Sequence, residues 1–78
     1  MGVLAMGDDT RALIGRLFAE ATAIIEDAHE ITIQGQSPKS SINAKAGAAA
    51  GLRTVLEDAA ILVQAVLVLA RREERRRH

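Results

Sequence analysis

The chain has 78 residues, is 49% apolar and 26% charged, carries no formal net charge and contains no cysteine. A chain of this length makes one small domain whose core contributes only about 3–5 kcal/mol, and without cysteine neither disulfides nor thiolate metal sites can add to it. Two histidines are a poor basis for a structural zinc site, so association between chains is the remaining source of stability.

Charge is spread unevenly. Asp8, Asp9, Glu20, Glu26, Asp27 and Glu30 make the first half acidic against Arg11 and Arg16, while Arg71, Arg72, Arg75, Arg76 and Arg77 crowd the C-terminal end. This asymmetry points either to self-complementarity between subunits or to an anionic partner for the basic end. No basic segment followed by a sustained apolar run reads as a secretory signal. Met1-Gly2 opens like a myristoylation site, but Met6 stands where Ser or Thr is needed. The apolar block 59–70 falls short of the ~20 residues that cross a bilayer, and its upstream neighbours are Asp58, Glu57 and Arg53. The expectation is a cytoplasmic protein.

In chain order, residues 1–8 carry two glycines and are expected to form a flexible N-terminus. Asp8, Asp9 and Thr10 offer an N-cap and negative charge at the start of a helix. Ile14, Leu17, Ala21, Ile24, Ala28 and Ile31 then recur at alternating steps of three and four, with Leu13, Phe18 and Ile25 beside them. That spacing predicts an amphipathic helix over 9–31. Ile31-Thr32-Ile33 is β-branched, Gly35 breaks the pattern, and Ser37-Pro38 reads as an N-cap followed by proline at the first helical position. A loop at 32–37 therefore leads to a second helix over 38–75, with a basic tail at 76–78. So short a connection suits antiparallel neighbours, giving one helical-hairpin domain over 9–75.

The second helix holds the most apolar stretch. Leu52, Val55, Leu56, Ala59, Leu62, Val63, Val66, Leu69 and Ala70 form a bulky face for the first helix, and Gln64 joins Arg53, Glu57 and Arg71 on one narrow wet strip. The segment 46–51 alternates alanine and glycine, which can mean a hinge or a groove of small residues. Alanine dominates it, so helix propensity stays high and the groove is the better reading. Ala44, Gly47, Ala48, Gly51, Asp58 and Ala65 fall along that side. A lone hairpin buries one side of each rod. The predicted fold class is therefore all-α, an antiparallel two-helix hairpin dimerising into a four-helix bundle. The expected oligomer interface is Ala44, Gly47, Ala48, Gly51, Val55, Asp58, Leu62, Ala65 and Leu69.

Little in the chain points to chemistry. Glu26-Asp27-Ala28-His29 contains a Glu-x-x-His, half of a carboxylate-bridged metal site in helical bundles. Glu26 lies opposite the apolar stripe and His29 on its flank, so both face water. Asp58 reads as a rim carboxylate, since no second catalytic group accompanies it. A Gly-rich phosphate loop and a Ser/His/Asp set are both missing from the sequence. No catalytic residue, metal or cofactor is expected.

The predicted function is that of a small, non-enzymatic, self-associating protein-interaction module, an adaptor, inhibitor or regulatory subunit whose first partner is a second copy of itself. The alternative is a nucleic-acid-binding dimeric hairpin, with Arg71, Arg72, Arg75, Arg76 and Arg77 neutralising phosphates. Phe18 is the only aromatic residue, so such binding would read backbone or duplex shape without base stacking. A membrane-surface role fits least, because no Trp or Tyr anchors the basic end. The expected architecture resembles small helical-hairpin dimers such as the Rop-type RNA binders, an analogy of fold that implies no function.

Overall fold

The computed structural model describes the backbone of residues 2–77 and the side chains of residues 9–76. Two helices, α1 (Gly2–Gln36) and α2 (Ile42–Arg77), pack against each other as a hairpin. The least exposed positions of α1 are Thr10, Ile14, Leu17, Ala21, Ile24, Ala28, Ile31 and Gly35. Those of α2 include Lys45, Ala48, Leu52, Val55, Ala59, Leu62, Val66, Leu69 and Glu73. Both series alternate steps of three and four, the 3.5-residue period of a two-stranded coiled coil, which holds one seam against the partner helix along its whole length.

The α1 stripe read from the sequence is the one that packs. On α2 the seam is narrower than the apolar face, and Leu56, Val63 and Ala70, expected to meet α1, are exposed. A two-stranded seam covers two positions in seven, whereas the apolar residues of α2 occupy more than that.

The helix boundaries differ from those the sequence suggests: α1 extends further at both ends, and α2 both starts and ends later. The β-branched run Ile31-Thr32-Ile33 stays helical, because Ile31 extends the seam and the Thr32 hydroxyl donates to the His29 carbonyl at 2.6 Å. Packing on α2 outweighs the local β preference. Helix α1 stops where Pro38 disfavours helical backbone at Ser37. Residues 37–40 make a tight turn in which the Ser40 amide and hydroxyl both donate to the Ser37 carbonyl, at 3.3 and 2.9 Å. The N-cap of α2 is Ser41, not Ser37: its hydroxyl accepts from the Ala44 amide at 3.0 Å. At the other end the backbone is helical from Gly2, so Asp8, Asp9 and Thr10 lie within α1 and do not cap it. Met1 and His78 lie outside the described residues.

Lys45 closes the loop end. Its ammonium donates to the carbonyl oxygens of Gly35 at 2.7 Å and Ser37 at 2.8 Å, capping the C-terminus of α1 from the first turn of α2. This contact fixes the register. Both helices rise about 1.5 Å per residue, so from Gly35 beside Lys45, Ala28 comes level with Leu52, Ala21 with Ala59 and Ile14 with Val66.

The hairpin is a rod of 59 × 18 × 12 Å, about one helix thick in its short dimension. Its radius of gyration is 17.9 Å, against about 11.5 Å for a compact domain of this length. Among the described residues only Ala21 and Ala28 are buried, at 9% and 8% exposure, and no large side chain is fully enclosed. The two seam alanines are small enough to be covered by their neighbours, while the bulkier seam residues are only half-covered.

Candidate interaction surface

With the seam fixed, the hairpin has two flanks of different chemistry. Thr32 and Ala49 line one shallow concavity together with Ile31 and Leu52. Gln34, Ala44, Gly47 and Gly51 line another. These two sets mark the opposite flanks near the loop, and the seven-residue repeat carries each assignment along the rod.

On the Thr32 and Ala49 flank, stepping back by sevens along α1 gives Ile25, Phe18 and, at the outer end, Arg11, and stepping forward along α2 gives Leu56, Val63 and Ala70. The register sets Ile25 within one residue of the level of Leu56, and Phe18 within one residue of that of Val63. These four are exposed by 60%, 52%, 57% and 49% respectively. Leu67, 50% exposed, widens the patch on α2. On the Gln34 and Gly51 flank the same steps give Asp27, Glu20 and, at the outer end, Leu13 on α1, and Asp58, Ala65 and Arg72 on α2. Asp27, Glu20 and Asp58 are all exposed. One flank is apolar and the other carries carboxylates around a floor of small residues.

The residues expected at an oligomer interface divide between these regions. Ala48, Val55, Leu62 and Leu69 are half-buried in the seam and already pack within the hairpin. Ala65 is half-buried beside it. Ala44, Gly47, Gly51 and Asp58 are exposed on the small-residue flank. Helix α2 runs unbroken through Gly47 and Gly51, so the segment 46–51 is not a hinge. A Cβ built at either glycine meets nothing within 4 Å. No close helix approach within the hairpin requires these glycines.

The arginine end is solvated. Arg71, Arg72, Arg75 and Arg76 are exposed. The Arg71 Nε donates to the Leu67 carbonyl at 3.3 Å, and Arg76 lies 4.0 Å from Glu73 on its own helix. An exposed pair of that length contributes little to stability. The side chain of Arg77 lies outside the described residues. Glu26 and His29 are exposed, as their positions on the wheel required. Among the described residues no group of acidic, histidine or cysteine side chains is arranged to hold a metal ion. No described helix is long and apolar enough to cross a membrane.

Two features escaped the sequence reading. The Lys45 cap depends on the loop geometry and leaves no local motif. The apolar flank was legible in principle: Phe18 and Ile25 are seven apart, as are Leu56 and Val63, each one residue past a seam position. No protein-family model, curated protein or solved structure matches this chain.

Proposed function

We propose that the chain is a non-enzymatic, self-associating interaction module in which two hairpins pack into a four-helix bundle, acting as an adaptor, inhibitor or regulatory subunit. One observation carries this reading. The hairpin exposes 6182 Å², whereas a compact monomer of its 8.3 kDa mass exposes about 4,600 Å². The excess of about 1,600 Å² per chain gives about 3,200 Å² when two chains meet, within the range of obligate homodimers. Phe18, Ile25, Leu56, Val63 and Leu67 are among the large apolar side chains contributing to it, and monomers rarely leave a contiguous patch of this kind in water. Sedimentation equilibrium across a dilution series tests the reading: a mass twice that of the chain is expected.

A second reading, nucleic-acid binding, draws on Arg71, Arg72, Arg75 and Arg76, which stand exposed on adjacent turns at one end of the rod. Binding through them would weaken steeply with salt as counterions are released. Titration of duplex DNA, single strands and RNA hairpins at low salt, repeated with the arginines replaced by glutamine, tests it.

A further inference from the structure

We infer that the second copy docks on the apolar flank formed by Phe18, Ile25, Leu56 and Val63, and not on the small-residue flank. The inference rests on the self-association proposed above and specifies the face that mediates it.

Symmetry decides between the flanks. A two-fold interface sets a surface patch against its own copy, so a patch of one net sign meets the same net sign. The small-residue flank carries Glu20, Asp27 and Asp58 and is net negative, so it would face a second net negative surface. Arg72, at the far end of that flank, is the one cation among the same heptad positions. Removing carboxylates from water beside like charges costs more than the floor of Ala44, Gly47 and Gly51 can return, since small side chains offer little apolar area. On the other flank the same steps meet one charge among the described side chains, Arg11, at the outer end of the strip. Phe18, Ile25 and Thr32 on α1, with Ala49, Leu56, Val63 and Ala70 on α2, form an uncharged strip. Its four large members are each about half exposed or more.

The area agrees with this choice. Covering one whole face of a rod 59 Å long and 18 Å wide removes on the order of 1,000 Å² or more per chain, a standard interface or larger. Two rods stacked on this face turn a one-helix-thick plate into a two-layer bundle, the smallest arrangement that encloses large side chains.

The test compares variants on the two flanks by sedimentation equilibrium. Phe18→Gln combined with Leu56→Gln keeps good helix formers at exposed positions, and is expected to raise the dimer dissociation constant by about tenfold or more. Gly51→Leu, on the opposite flank, is expected to leave it unchanged. The reverse pattern overturns the assigned face while leaving self-association intact. A wild-type chain that stays monomeric throughout the dilution series removes the proposed function and this inference with it.

Circular dichroism checks that the glutamine variant keeps its helices. A second measurement does not depend on that variant. The described chain has no free cysteine, so a thiol introduced by Val63→Cys or Gly47→Cys reports alone on its surroundings. Alkylation of the thiol at position 63 should be lost as concentration rises through the dissociation constant, while that at 47 stays fully reactive. Protection at 47 with continued reactivity at 63 overturns the inference.

Discussion

The Lys45 ammonium donates to the Gly35 carbonyl oxygen at 2.7 Å, across the loop from one helix to the other. Lys45 is ten residues along the chain from Gly35 and occupies a seam position on α2. A positive charge therefore sits at the negative end of α1, and one side chain both terminates a helix and sets the alignment of the hairpin.

Lys45→Met tests that role. Methionine keeps an unbranched apolar stem in the seam and removes both donated bonds. The expected cost is about 1–2 kcal/mol, read as a lower midpoint in urea at equal chain concentration. A midpoint equal to that of the wild type would show that the cap contributes nothing.

The loop separates two serines that look alike in sequence. The Ser41 hydroxyl accepts from the Ala44 amide at 3.0 Å and caps α2, whereas the Ser37 hydroxyl accepts from the Lys39 amide at 3.3 Å in an exposed turn. Ser41→Ala should cost about 1 kcal/mol. Ser37→Ala should cost a few tenths at most, because its turn is also held by main-chain bonds from Ser37 to Gln34 and from Ser40 to Ser37. Thermal melts of the two variants side by side give the order directly.

How much of this the sequence showed depends on the range of the force involved. The α1 stripe from Ile14 to Ile31 was legible because seam packing repeats with the helix itself. The hairpin was legible because Gly35 and Pro38 punctuate two long apolar patterns. The helix ends were not, since Ile31-Thr32-Ile33 carries a local β preference that only packing against α2 overrides. Ser37-Pro38 likewise satisfies a local rule for a helix start, while Ser41 takes the role once the turn at 37–40 has formed. Leu56 and Val63 belong to the apolar face that the sequence offers to α1 yet lie outside the seam, because hydrophobicity marks a residue for burial without saying against which neighbour.

The seam itself is tight at its alanines. Ala28 is 8% exposed, so Ala28→Leu should force the helices apart and cost about 1–3 kcal/mol. Val66→Asp puts a charge into the half-buried seam and should unfold the chain outright. Far-ultraviolet circular dichroism distinguishes the two, with helix retained in the first and lost in the second.

The glycines of α2 offer the opposite effect. Gly47 and Gly51 have ordinary helical backbone and open space around an added Cβ. Gly47→Ala and Gly51→Ala should each stabilise the protein by about 0.5–1 kcal/mol. A destabilised double variant would mean that another helix approaches the glycine surface closely in the assembled protein.

Self-association is the claim on which the rest depends, and the mass of the unmodified chain as a function of concentration tests it most directly. Sedimentation equilibrium from nanomolar to tens of micromolar should give twice the 8.3 kDa chain mass over the upper part of the range. The melting temperature should rise with concentration, as mass action requires. A single species of one chain mass at every concentration, with a melting temperature independent of concentration, would contradict it.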